Sequence, residues 1–287
     1  MATNSPSPRG DSAAAREKAR QFSAQQAASE KRKGLWVKIG VLVAVVAIIA
    51  IVAGILMQQN RGQVADSGPV PAGGNTNGGV TLVSSTELAS TPAGQTVNLA
   101  DAGATPSQAG TPAPRGVVKA EKGQPLQLIM YVDANCVHCA DFEGQYANDL
   151  KTWLDAKDIT LEYRTVAFLD RGSPTNYSSR GANAFACVAD QAPASYLAFT
   201  NAVFAHHSQG EMTNEQLAQM AKDNGADVKS CIEDGKFRPF VKYTTQAALA
   251  DSIAGTPSVF LNGQEWNGQN DPDFKVWAQG LIDAHKK

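Results

Sequence analysis

The chain has 287 residues, four cysteines and a formal net charge of −2, which is length enough for one large domain or two small ones. That near-neutrality is an average. Residues 1–38 hold eight basic and three acidic side chains, and the 17 basic and 24 acidic residues elsewhere leave a net charge of about −7 on the remainder. The basic residues sit on a short Ala/Gln/Ser-rich tail without interleaved aromatics, which excludes a nucleic-acid surface and gives no nucleic-acid partner.

From Ile39 to Met57 the chain is uncharged and almost wholly Val, Ile, Ala, Leu and Gly. At about 1.5 Å per residue this run nearly spans a hydrocarbon core about 30 Å thick, and it reads as a transmembrane anchor. Trp36 and Lys38 suit the interface at its start, and the basic excess on the N-terminal side places residues 1–38 in the cytoplasm. The expected protein is therefore single-pass in the cell membrane, with everything after Met57 extracytoplasmic. A cleaved signal peptide is the rival, but its apolar core is shorter and ends in a small-x-small site, which Gln58-Gln59-Asn60-Arg61 does not supply. Residues 58–116 are rich in Gly, Pro, Ala, Ser and Thr and predict a disordered tether, with at most a short strand at 79–84.

Residues 117–287 read as the globular domain. Leu126 to Val132 is a continuous apolar run, as in a strand buried on both faces. Phe142, Tyr146, Leu150, Trp153 and Leu154 then recur at helical spacing, and Ile159 to Phe168 reads as a second strand, which completes a βαβ unit. Residues 174–251 carry only helical patterns. A strand resumes at Ser258-Val259-Phe260-Leu261, Asn262-Gly263 signals a two-residue hairpin into 264–266, and a last helix starts near Pro272.

The chemistry concentrates in Cys136-Val137-His138-Cys139, where the first strand feeds a helix. Cysteines at i and i+3 share a helix face, close enough to be joined. The first sulfur meets the orphan N–H groups and positive end of the helix dipole, with His138 as a possible second cation, so Cys136 is expected to have a low pKa and to leave readily. A zinc site needs further ligands, and the adjacent His206 and His207 point about 100° apart on a helix. Redox catalysis is the preferred reading, with no metal or cofactor required.

Strand, Cys-x-His-Cys, helix, strand, helical insert, Gly255-Thr256-Pro257, hairpin and final helix together resemble the DsbA-like thiol-disulfide oxidoreductases, in particular the membrane-tethered forms of Gram-positive bacteria. The resemblance covers about residues 117–287. It implies an α/β thioredoxin fold with an all-helical insertion, a cis Pro257 against the active-site cysteines, and a Thr256 backbone that pairs with extended substrate. It further implies an extracytoplasmic dithiol oxidase that introduces disulfides into exported proteins, taking their thiols as substrates, and a quinone-linked membrane partner that reoxidises it. A tethered reductase or isomerase is the enzymatic alternative, and a copper- or zinc-binding chaperone the alternative of another class.

Two departures stand out. Val137 replaces a proline common in that family, and Met130 occupies the place six residues before the first cysteine where thioredoxin-type proteins often bury an acid. Asp133 and Glu143 are the nearest acids and are candidate proton relays, although an acid at a strand end such as Asp133 is more often merely solvated. Cys187 and Cys231, both flanked by apolar residues in the insert, are read as a structural disulfide between two helices, against a second redox pair. Phe168, Trp266 and Phe240 are candidates for a peptide groove or for the core.

Overall fold

The computed structural model describes residues 63–103 and 114–287, with five isolated positions before them. The expected basic tail and the anchor Ile39–Met57, apart from those five positions, lie outside the described residues. Among the described residues no helix is long and apolar enough to cross a membrane.

The folded unit runs Val64–Lys287. Its strands are β1 (Ser67–Pro69), β2 (Val80–Ser84), β3 (Glu87–Leu88), β4 (Thr96–Asn98), β5 (Leu126–Val132), β6 (Ile159–Thr165), β7 (Ser258–Leu261) and β8 (Gln264–Glu265). Its helices are α1 (Val137–Asp155), α2 (Tyr177–Gln191), α3 (Tyr196–His206), α4 (Asn214–Asp223), α5 (Lys229–Asp234), α6 (Arg238–Ala250) and α7 (Phe274–Lys286). Six strands form the main sheet in the order β3-β2-β6-β5-β7-β8. Only β5 and β6 run parallel, joined through α1, and β1 pairs β4 in a separate ribbon.

The apolar run of β5 is covered on both faces, which is why it lacks alternation. Leu128, Met130 and Val132 enter the larger core, while Ile129 and Tyr131 enter a smaller one with Phe260 and Ile253 on the other face. Helix α1 buries Phe142, Tyr146, Leu150, Trp153 and Leu154 along one stripe. Phe274 of α7 meets that stripe, its ring centroid 4.8 Å from Phe142 and 5.1 Å from Tyr146. Helices α2 to α6 form the insert, with α2 nearly all buried at its centre. A disulfide between Cys187 of α2 and Cys231 of α5 ties two of these helices together.

The N-terminal part of the expected tether is folded. Residues 64–103 supply β1 to β4 and a short 3-10 turn, Leu99–Ala102, and β2 extends the main sheet antiparallel to β6. Val70, Val80, Leu82 and Val97 join the larger core, and polar anchors add to them. Glu162 of β6 accepts hydrogen bonds from Asn75 at 3.0 Å and Thr81 at 2.9 Å, and it pairs with the fully buried Arg164 at 2.6 Å. Arg164 also donates to the Arg115 carbonyl and the Tyr131 hydroxyl. The Arg115 guanidinium in turn holds both carboxylate oxygens of Asp251 and the carbonyls of Ala102 and Gly103. Within this cluster Glu162 is paired with Arg164 and Asp251 with Arg115, which offsets much of the cost of burying these charges, although Arg164 Nη2 finds no hydrogen-bond partner among the described residues.

Candidate active site

Strand β5 stops at Val132, and the next four residues are turned tightly into α1. The Asp133 carbonyl accepts the Cys136 N–H at 3.0 Å. The Asp133 side chain closes an Asx-type turn on the Asn135 N–H at 2.9 Å and also accepts the Leu169 N–H at 3.0 Å. Asp133 is fully buried, unlike the solvated strand-end acid expected from sequence, and burial raises its pKa against the pull of those N–H groups. Its visible work is to brace the loop.

Cys136 is the N-cap of α1, with extended φ −91° and ψ 117°, and its Sγ accepts the Cys139 N–H at 3.3 Å. A cap position normally taken by Ser or Asp here presents sulfur to the orphan donors of the first turn. The Cys136 pKa is lowered to about 5, chiefly by the hydrogen bond from the Cys139 thiol and further by the backbone N–H groups of Cys139 and His138, with burial opposing. Cys139 is fully buried and moves the other way, pushed up by burial and by the neighbouring Cys136 sulfur. Both cysteines are free, so the site is a dithiol of opposite tendencies: one sulfur poised as thiolate, the other held as thiol.

The His138 side chain lies at the rim of the site. It is 78% exposed and faces Asp141 at 4.0 Å, and the residue acts on Cys136 through its backbone N–H.

Pairing of β7 with β5, with Ser258 opposite Tyr131, carries the preceding Thr256 to the cysteine turn. The Thr256–Pro257 peptide is cis, and the Cys136 sulfur lies 3.3 Å from the Thr256 carbonyl oxygen. Beside it opens a groove of about 850 Å³ whose walls include Val137, Phe168, Leu169, Arg171, His207 and Leu249. Of the aromatic candidates only Phe168 lines it; Phe240 is core, and Trp266 packs on Phe142 and Phe274.

Several contributors left no local mark in the sequence. His207 places Nε2 at 3.2 Å from the Asn135 carbonyl, and Glu211 accepts the Asn135 side-chain N–H at 3.1 Å, so the end of α3 and the loop after it brace the residue before Cys136. Only the tertiary packing of the insert brings them there. Glu143, one turn beyond Cys139, is sealed in the core with one oxygen accepting from Tyr163 at 2.9 Å and the other without a partner among the described residues. Burial pushes its pKa up to about 7.

A family model described as Thioredoxin matches residues 115–279. Over 181 residues the chain is 32% identical to the serine/threonine-protein kinase PknE of Mycobacterium tuberculosis; the match covers 58% of this chain and 31% of the kinase, so the chain spans about a third of that relative's length. Among solved structures, MdbA, a thiol-disulfide oxidoreductase from Actinomyces oris, is similar at 29% identity and a TM-score of 0.50, covering 56% of this chain and 82% of MdbA. DsbA from Mycobacterium tuberculosis is similar at 25% identity and a TM-score of 0.46, covering 60% of this chain and 95% of DsbA. The cysteine-capped helix, the Thr256–Pro257 turn beside it and the likeness to MdbA stand together with a family model that covers more than half of the chain, and they lead to one conclusion: the chain belongs to the thioredoxin family.

Proposed function

We propose that the protein is an extracytoplasmic thiol-disulfide oxidoreductase working as a dithiol oxidase on exported proteins. The observation that carries this reading is the asymmetry of the pair, with Cys136 drawn down to about 5 while Cys139 is pushed up. A substrate thiolate attacks Cys136 of the Cys136–Cys139 disulfide. The Cys139 sulfur leaves and takes a proton, and a mixed disulfide forms. A second substrate thiolate then attacks the substrate sulfur of that bond, the substrate disulfide forms, and Cys136 departs with the electron pair as a stabilised thiolate. Stabilising the reduced form in this way makes the disulfide oxidising. Thr256 offers its backbone to the substrate strand, and Pro257 closes that side of the site.

The Cys187–Cys231 disulfide fits an oxidising compartment, in keeping with an anchor at Ile39–Met57 and a cytoplasmic tail. Each turnover leaves the dithiol, so the reading includes a membrane partner, quinone-linked by resemblance, that accepts two electrons. The reduction potential of the full chain tests the direction of flow. A value near −120 mV supports the oxidase, and one near −270 mV replaces it with a reductase.

A further inference from the structure

The redox groove does not end at an outer wall. Ala167 and Thr245 border it, tied together by the Ala167 N–H donating to Thr245 Oγ1 at 3.0 Å, and the same two residues border a second hollow of about 380 Å³. Val64, Leu99 and Val241 give this hollow apolar walls, and Arg238 reaches into it from the first turn of α6.

The charges lining the second hollow are unevenly matched. Lys242 is held by Asp66 at 2.6 Å and by the Val64 carbonyl. Asp170 is occupied by the Ser179 N–H at 3.1 Å. Arg238 Nε, in contrast, is buried without a hydrogen-bond partner among the described residues. Burial draws the Arg238 pKa below the usual arginine range; Asp170 opposes that shift and Arg180 adds to it. The positive end of its own helix gives this guanidinium no relief. A half-buried guanidinium that makes no hydrogen bond through its Nε, with Asp170 engaged by the Ser179 N–H, is costly, and its retention at the mouth of a hollow points to an anion that completes it. The groove on the other side of Ala167 and Thr245 adds Arg171 and contributes no carboxylate to its lining.

We propose that the Arg238 hollow is a subsite for an Asp or Glu side chain of the polypeptide segment whose cysteine engages Cys136, so that apolar segments bearing an acid are the preferred substrates. This rests on the reading of Cys136 as the exchanging sulfur. The segment lies along the groove past Leu169 and Leu249, crosses the Ala167–Thr245 ridge, and its carboxylate accepts hydrogen bonds from Arg238.

The test uses the full chain and two sets of synthetic peptides, one with a single cysteine and one with serine in its place, each carrying Asp, Asn or Lys at successive distances from that residue. In the redox-inert serine set, measured by fluorescence anisotropy, Asp at one distance is expected to bind about tenfold tighter than Asn there. R238Q should abolish the difference without weakening the Asn peptide, R238K should keep it, and R238E should transfer the preference to Lys. R238Q is expected to be at least as stable as the parent, because the change removes a buried Nε that has no hydrogen-bond partner among the described residues. Equal binding of Asp and Asn at every distance, a preference that survives R238Q, or no binding at all overturns the subsite. Failure of the cysteine set to form a mixed disulfide at Cys136 is a separate result. With the Asp preference intact, it removes the exchange reading and leaves the subsite standing.

Discussion

Ala134 faces the bare Cα of Gly181, where an added methyl carbon would stand 2.6 Å from the Ala134 side chain. Helix α2 is thereby allowed to press on the loop that carries Cys136, two residues further on. Gly181→Ala should force the two apart, costing about 1–3 kcal/mol by overpacking. Denaturant unfolding measures the loss, and a raised Cys136 pKa would show that the displacement reaches the cap. Unchanged stability would mean that this close approach is not holding the loop.

The Cys136 pKa sets a pH dependence with a definite sign. Its folded value is about 5, against about 8.5 for an unfolded thiol, so between those pH values the native dithiol binds fewer protons than the unfolded chain. Stability of the reduced protein, taken relative to the disulfide form, should rise with pH across that window and disappear as pH falls through 5. Above about 8.5 the gain should reverse, because Cys139 keeps its proton in the native state and loses it in the unfolded one. Iodoacetamide trapping of the reduced protein should titrate near pH 5. In His138→Ala that midpoint should barely move, since the ring faces Asp141, whereas in Cys139→Ala it should climb toward the ordinary thiol range with loss of the main donor.

Glu143 gives an opposite slope that is common to both redox states. Raised to about 7 by burial, its carboxyl keeps a proton that the unfolded chain gives up near 4.5, so this contribution to stability is full below 4.5 and lost as pH rises to about 7. Glu143→Gln should flatten that part of the profile and leave the variant more stable than the parent at pH 8, by about 3 kcal/mol if the whole shift is realised. Parallel profiles for parent and variant would contradict the assignment.

Removing the Cys187–Cys231 disulfide by double replacement with alanine reopens a loop with a sequence separation of 44 residues. The expected loss is about 4 kcal/mol on the chain-entropy account, read from denaturant unfolding. The Cys136 pKa should stay where it is. A shift there would show that the staple also tunes the redox turn.

Much of the domain beyond residue 117 was legible because its elements are local and strongly patterned. The β5 run, the α1 stripe and the Asn262-Gly263 turn each carry a period or a turn chemistry that admits one reading, and both turn residues adopt positive φ. The motif also located Cys136 correctly at a helix start. Residues 64–103 failed the same approach because their composition has two physical meanings. Glycine there marks close approach more than freedom: a side chain at Gly79 would collide with Glu162, and one at Gly68 with Pro239. The strands are two to five residues long and are held by polar partners from 80 or more positions away, such as Asn75 and Thr81 with Glu162. No window of sequence contains both halves of such a contact. Spacing places His138 in the first turn of α1 and does not say where its ring points.

The pairing of β2 with β6 bears on where this protein can be cut. The family match starts at Arg115, and a fragment trimmed to that residue would keep every cysteine and the whole redox turn. It would also lose β2, leaving a row of unpaired backbone groups along β6, and would strip Asn75 and Thr81 from the buried Glu162 carboxylate. A bare strand edge is a template for another copy of the chain. Such a fragment carries the cysteines on a sheet that invites self-association, whereas one that begins at Val64 keeps β2 on the β6 edge.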